Sequence, residues 1–377
     1  MHFDLTDEQR HIRDLVRDFA QNEVRPVAEE LDREKRFPYE IVKQLGDLGL
    51  MGMPFPQEYG GGGTDNLSYA IAVEELTRVD SSVAITMAAH TSLGTWPVYA
   101  FGTDEQKEEL LPDLCSGRKL GAFGLTEPEA GSDAGNVKTR ATLEDGEWVI
   151  DGAKQFITNA GTDISGHVAI TARTGENEIS NLIVPKGTPG YEQGEPYRKM
   201  GWNASDTRPL SFDGARVPAD NLLGPRGQGF KQFLQTLDGG RIGVAAMGVG
   251  LAQGALDEAL AYAKERRAFG QPISKFQAIQ GKLADMATEI EAARLMTYHA
   301  AWLKDQGRSF TLVAAKAKLK TGRLAVRATE EAVQIHGGYG YIEEYPVCRH
   351  YRDAKILTIG EGTDEVQQMV IARALGA

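Results

Sequence analysis

The spacing of apolar residues divides the chain into a helical, an extended and a second helical stretch. Thr6 and Gln9 fit a capping box, and Ile12, Leu15, Val16 and Phe19 then recur at the interval of one helix face. "PYEIVKQLGDLGL" predicts a second helix with Gly49 near its end, and the Pro and Gly density of "MPFPQEYGGGGTD" predicts a flexible loop. Helical patterns resume from Leu67 to Leu111, and in "GTDEQKEELLPDL" a cap-like start is followed by Pro112 as a stop signal.

After "CSGRKL" the pattern becomes alternating and β-branched. "KTRATLEDGEWVIDGAKQFIT" carries the hairpin signal Asp145-Gly146, and "GHVAITART", "ISNLIVPK" and "PLSFDGARVP" read as short strands. From "GQGFKQFLQTL" onward the helical period returns. Arg241 to Phe269, Ala278 to Asp305 and Phe310 to Ile335 are long helical candidates, and "TDEVQQMVIARAL" makes a fourth. Four such helices would bury a continuous apolar seam as a bundle. The expectation is an α+β multidomain protein: residues 1–119 α-helical, 120–225 a middle antiparallel β domain, and 226–377 a four-helix bundle.

A length of 377 residues agrees with more than one core. The net charge of -12 argues against nucleic acid or an anionic membrane as the main partner. Cys115 and Cys348 match no metal or redox spacing, which suggests a reducing cytoplasm. With no apolar run of spanning length and no signal-peptide pattern at "MHFDLTDEQRHIRD", a soluble cytoplasmic protein without membrane insertion is expected.

Several familiar motifs fail on inspection. "GVGLAQG" misplaces the third Gly of a dinucleotide fingerprint and lies inside a helical pattern, so Gly250 and Gly254 read as close-packing residues. "GGGG" at 60–63 lacks the Lys-Ser/Thr of a phosphate loop. There is no His pair or His/Cys cluster with zinc spacing, hence no metal, and no G-x-S-x-G elbow.

Other segments are chemically suggestive. In "AFGLTEPEAGSDAGN", Phe123, Leu125, Thr126, Gly131 and Ser132 offer an apolar wall, two hydroxyls and free amides to a planar heteroaromatic ring, although a solvent loop would explain the same residues. "KQFITNA" adds Phe156 and Thr158. In "KERRAFGQPISKFQAIQ", Arg266 and Arg267 either complement a helix dipole or meet a diphosphate. Gly337, Gly338 and Gly340 make a loop that backbone could bring close to a cofactor. "ILTIGEGTDEV" holds one acid, Glu361, between two glycines.

Taken in order, "GLTEPEAGSD", "KQFITNA", "LDGGRIGVAA", "ERRAFGQPISKFQ", "QIHGGYGYIEEYPV" and "YRDAKILTIGEGT" resemble the acyl-CoA dehydrogenase family over essentially the whole chain, in a short- or branched-chain-like form. The resemblance implies a homotetramer with FAD held between the middle domain and the bundle, partly by a neighbouring subunit. It places Phe123, Leu125, Thr126, Gly131, Ser132, Phe156, Ile157 and Thr158 around the flavin. Arg266, Phe269, Phe276, Gln277, Gln334, Gly337 and Gly338 would reach the FAD diphosphate and adenosine, and Thr363 and Glu365 would touch the cofactor. Ser132, Asp238, Arg241, Gly360 and Gly362 would line the acyl-CoA site.

By the same resemblance Glu361 is the catalytic base, removing the α-proton of an acyl-CoA while hydride leaves the β-carbon for flavin N5. The enolate would be held by the Glu361 N–H and an FAD ribityl hydroxyl, giving a trans-2-enoyl-CoA, with electrons passing to an electron-transfer flavoprotein. Fatty acid β-oxidation or branched-chain amino acid degradation would be its setting. The alternatives are an acyl-CoA oxidase using O2, a catalytically silent flavoprotein scaffold, or a helical protein with no cofactor. Two departures stand out. Gly240 occupies the place where a subset of the family carries its base, leaving Glu361 without a rival. Gly360 and Phe156 replace a common Tyr and Trp, which would leave room for an α-branched acyl group.

Overall fold

The computed structural model describes residues 4–377. Seven helices come first: α1 (Asp7–Phe19), α2 (Arg25–Glu34), α3 (Tyr39–Asp47), α4 (Asn66–Thr77), α5 (Ser81–Ala89), α6 (Trp96–Phe101) and α7 (Asp104–Cys115). Thr6 and Thr103 both close complete capping boxes, on α1 and α7. Pro112 lies inside α7, which runs on to Cys115 instead of stopping. The glycine run is also ordered: the Gly61, Gly62 and Gly63 N–H groups donate to the carbonyls of Pro56, Gly52 and Phe55. A Cβ at Gly61 would lie 2.2 Å from the Phe55 carbonyl oxygen, so close backbone approach requires glycine there.

The strands follow: β1 (Leu120–Gly124), β2 (Arg140–Glu144), β3 (Glu147–Thr158), β4 (Ser165–Gly175), β5 (Glu178–Pro185), β6 (Tyr191–Gln193), β7 (Thr207–Pro218) and β8 (Leu222–Leu223). The sheet order is β6-β7-β3-β2-β4-β5-β8, with β1 beside β4. Most neighbours are antiparallel, but β1–β4 and β2–β4 run parallel, so the expected antiparallel domain is a mixed sheet. The β2–β3 turn has positive φ at both Asp145 and Gly146, the backbone of a tight hairpin. Trp148, Ile150, Val168, Ile170, Leu182 and Phe212 form its buried core.

Last come α8 (Gly229–Glu265), β9 (Arg267–Ala268), β10 (Gln271–Pro272), α9 (Gln277–Asp305), α10 (Thr311–His336), α11 (Pro346–Ala354) and α12 (Asp364–Leu375). Helix α8 begins at Gly229, well before Arg241. The Gly239-Gly240 pair that interrupts the sequence pattern is carried through by packing. Added Cβ atoms at Gly250 and Gly254 would fall 2.3 and 2.2 Å from the Glu74 and Arg78 carbonyl oxygens, so α8 lies directly on α4. Among the described residues no helix is long and apolar enough to cross a membrane.

Two buried groups join these layers. His90, which burial pushes down to about 4, is neutral. Its Nδ1 accepts from the Gly121 N–H at 3.1 Å and its Nε2 faces the Leu114 carbonyl at 2.9 Å. Asp353 accepts from the Trp202 N–H at 2.7 Å and the Ser81 hydroxyl at 2.6 Å, tying α11 to the sheet loop and α5. Arg349 faces Asp80 at 3.3 Å and Arg352 pairs with Asp32. The basic run before Glu361 is therefore a clamp across the fold.

Candidate active site

A 3-10 turn, Lys355–Thr358, follows α11, and the Gly360 N–H donates back to the Ile356 carbonyl at 2.8 Å. The backbone then turns left-handed twice, at Glu361 (φ 51°) and Gly362 (φ 93°), before Thr363 caps α12 by accepting from the Val366 N–H. A side chain in this region is strained by about 1–3 kcal/mol, and such residues concentrate at functional sites. The two flanking glycines differ. A Cβ on Gly362 would lie 2.6 Å from Gln367 Nε2 and its φ is positive, so glycine is needed; at Gly360 the nearest atom would be the Ile356 carbonyl oxygen at 3.5 Å.

The turn aims the Glu361 carboxylate at α8. A Cβ on Gly240 would sit 2.1 Å from Glu361 Oε2 and 3.2 Å from Leu93 Cδ2. Leu93 belongs to the π-helical segment His90–Thr95 between α5 and α6, a rare form that is frequent at functional sites. Glu361 Oε2 is buried without a hydrogen-bond partner, and the Glu361 N–H donates to no acceptor among the described residues. Burial pushes the carboxyl up to about 7, against the opposing fields of Lys318 and Arg241.

Around it, Arg241 is buried and donates from Nη1 to Asp238 Oδ1 at 2.5 Å, while its Nε has no partner. Asp238 Oδ2 accepts from the Thr311 hydroxyl at 2.7 Å. Tyr69 feels the Glu361 charge, and burial holds its phenol above the usual range. Beside this cluster a small cleft is lined by Tyr69, Ser92, Trp96, Gly239, Ile242 and Lys304.

The remaining candidates form two groups. On the sheet face, Phe123 and Ile157 are buried, Leu125, Thr126 and Thr158 are half-buried, and Gly131, Ser132 and Phe156 are exposed. The Gln155 N–H donates to the Thr126 carbonyl at 2.8 Å, and Phe156 holds φ 62° with its ring 5.3 Å from Tyr197. On the bundle, Arg266, Phe269, Gln277, Gln334, Gly337 and Gly338 are exposed. The Phe269 ring, at φ 51° and 95% exposed, stands perpendicular to Phe276, and Arg266 lies over the Tyr339 ring. No hydrogen bond, ion pair or ring contact joins the two groups among the described residues. Ser132 likewise has no bond to Glu361, and Thr363 and Glu365 lie just past the turn.

Family models for the N-terminal, middle and C-terminal domains of acyl-CoA dehydrogenases match residues 6–118, 122–215 and 227–376 in order. The chain belongs to the acyl-CoA dehydrogenase family. A probable acyl-CoA dehydrogenase of Bacillus subtilis (strain 168) is 55% identical, with 100% of both chains covered. Butyryl-CoA dehydrogenase from Megasphaera elsdenii superposes with a TM-score of 0.97 at 48% identity, covering 100% of both chains. A chain from the structure of the electron transferring flavoprotein of Acidaminococcus fermentans gives 0.97 at 46%, covering 100% of this chain and 99% of that one.

Sequence reasoning missed three residues that surround the candidate site of this acyl-CoA dehydrogenase. Lys318 donates to the Gly362 carbonyl at 2.6 Å, and Gln367 Nε2 donates to the same oxygen at 3.0 Å. Leu93 meets Gly240 from the π segment. Only Lys318 left a signal: on α10 it shares the face of buried Ala314, Thr321 and Ala325, where a lysine is out of place.

Proposed function

We propose that the chain removes hydrogen from Cα and Cβ of a short acyl-CoA thioester, with Glu361 as the base that takes the α-proton. The observation that carries this is the pairing of an unpartnered, buried carboxylate oxygen with an unused N–H on the same residue. A thioester lying on that residue would present its α-carbon to the carboxylate and its carbonyl oxygen to the N–H. The N–H then stabilises the charge that develops as the proton leaves. Burial keeps Glu361 weakly acidic enough to accept a carbon-bound proton. The small cleft beside Tyr69 and Trp96, with the likeness to butyryl-CoA dehydrogenase, supports a small acyl group.

The family is FAD-dependent, and bound FAD supplies the acceptor for the β-hydride. The residues fit that group. Phe123, Leu125, Thr126 and Phe156 present a wall and a hydroxyl on one face of the sheet. Added Cβ atoms at Gly131, Gly270, Gly337 and Gly338 would touch nothing within 4 Å, so those backbones stand open to a ligand. Because no hydrogen bond, ion pair or ring contact joins the sheet and bundle groups among the described residues, the reading extends to a homotetramer in which Arg266, Phe269, Gln277, Gln334, Gly337 and Gly338 serve the FAD of a neighbouring subunit. A soluble electron-transfer flavoprotein would take the electrons.

The test is anaerobic titration of the yellow protein with butyryl-CoA, following the oxidised flavin band. Bleaching in the wild type and none in Glu361→Gln, which still binds the thioester, is expected. A Glu361→Gln variant that bleaches at the wild-type rate sinks the assignment of the base. Stoichiometric peroxide release in air during turnover would favour an oxidase.

A further inference from the structure

Lys318 has no exposed surface, yet nothing in the reaction as described uses it. Its Nζ donates to the carbonyl of Gly362, the residue next to the base, across 44 residues of chain. Gln367, also fully buried, donates to that carbonyl and to the Glu361 carbonyl. These are the side-chain hydrogen bonds made to the two left-handed residues of the turn. A buried ammonium held to a carbonyl alone is a poor structural device, because its desolvation is compensated by one neutral acceptor. Its use becomes plain only when its neighbours are counted.

Burial pushes the Lys318 ammonium down to about 8, so its charge is present at and below neutrality; it faces Glu361, and Asp364 and Glu365 on α12, with Arg241 approaching from α8. Arg323 draws Asp364 away at 2.8 Å, and Tyr69 faces Glu361 from α4. Glu361 Oε2 receives no hydrogen bond, so its charge is supported by nearby fields alone. We propose that Lys318 is a positioning residue for the reaction: from inside the bundle it pins the Glu361–Gly362 turn and, through its charge, keeps the carboxylate of the base ionised. A hydrogen bond directly to the carboxylate would compete with the α-carbon for the oxygen. A cation one residue away stabilises the anion and leaves the oxygen free.

This inference rests on Glu361 being the base, and the experiment separates the two. The holoenzymes of wild type, Lys318→Met, Lys318→Arg and Glu361→Gln are compared for flavin bleaching by butyryl-CoA from pH 6 to 9. Lys318→Met should raise the apparent pKa of the base by about one unit or more, a rate about tenfold low at pH 6.5 that recovers at pH 9. Lys318→Arg should keep the wild-type titration. Hydrogen exchange over residues 359–364 should quicken in Lys318→Met and not in Lys318→Arg.

A loss in Lys318→Met that is equal at every pH, or no loss, overturns the proposal while leaving Glu361 as base. Bleaching by Glu361→Gln overturns the underlying reading instead. If Lys318→Met does not retain FAD, Lys318→Gln takes its place in the same comparison, with the same raised base pKa and quickened exchange expected; an unshifted pKa in Lys318→Gln, or a pKa raised by about one unit in Lys318→Arg despite the retained charge, overturns the proposal.

Discussion

Lys154 and Lys318 are both lysines without exposed surface, and their surroundings differ in one respect that separates scaffold from site. Lys154 Nζ has Glu127 Oε1 and the Thr171 carbonyl at 2.7 Å, with the Leu125 carbonyl and Thr171 hydroxyl at 3.3 Å. Glu127 in turn accepts from the Lys138 and Thr139 N–H groups. Although burial raises its pKa, the Lys154 ammonium and these bonds hold the Glu127 carboxyl below the usual range. The network is closed, and it fixes the Leu125–Thr126 wall. Around Lys318 the network is open: Glu361 Oε2, Arg241 Nε, Asp364 Oδ1 and Gln367 Oε1 are all buried without partners. Buried polar atoms in native proteins are nearly always satisfied. Unpartnered atoms also occur elsewhere, as at Asp80 Oδ2 and Arg349 Nε in the α11 clamp, so what distinguishes the Lys318 region is that four of them converge beside one turn.

The comparison can be broken most severely at Glu361. Glu361→Gln should lower turnover by about 10⁴-fold, the upper range for a general base, with thioester binding retained. It should also stabilise the fold. Because the folded-state pKa is raised from 4.5 to about 7, the wild type loses stability as pH rises through that interval. Thermal melts should show the variant ahead by about 1–3 kcal/mol at pH 8 and level at pH 4. In the closed network, Lys154→Met should do the reverse, destabilising the protein by about 3–5 kcal/mol by stranding Glu127. Chemical denaturation measures it, and a melt unchanged from wild type would show that the closed pair is dispensable.

Smaller effects sharpen the picture. Gly240→Ala places a Cβ where Glu361 Oε2 now lies and should cost about 10²-fold in turnover with little change in stability. Wild-type flavin reduction should rise about tenfold per pH unit below 7 and level off above it, as the raised carboxyl ionises. A profile flat from pH 5 to 9 would contradict a base of that pKa. The smallest change is expected for Gly360→Tyr. The backbone has room for a Cβ, so the fold should be unaffected, and the preference for isobutyryl- over butyryl-CoA should fall by about three- to tenfold. An unchanged preference would make Gly360 only a conformational residue.

Much of this was legible before any coordinates. The capping boxes of α1 and α7, the Asp145-Gly146 hairpin and the alternation along the central strands are local patterns, and local backbone preference expresses them directly. The α8 start and Pro112 misled because glycine and proline penalties are modest beside the packing of a whole helix face. The parallel pairing of β1 with β4 was invisible because it joins segments far apart in sequence. The glycine run 60–63 was read as flexible from composition alone, whereas its order depends on carbonyls that the preceding turn happens to present.

The same division runs through the site. The sequence points to Glu361 through its resemblance to the family, which can be seen because the acid and its two glycines form a contiguous motif. Only the tertiary structure decides that Gly362 is the obligatory glycine and Gly360 the spare one, because Gln367 crowds one and the other would meet Ile356 only at ordinary contact distance. It alone brings Gly240 and Arg241 of α8, Leu93 of the π segment and Lys318 of α10 around one carboxylate, from three elements separated by long stretches of chain. Burial and field at a point are sums over everything packed there, so the acidity of Glu361 is a property of the fold and not of its neighbours in sequence.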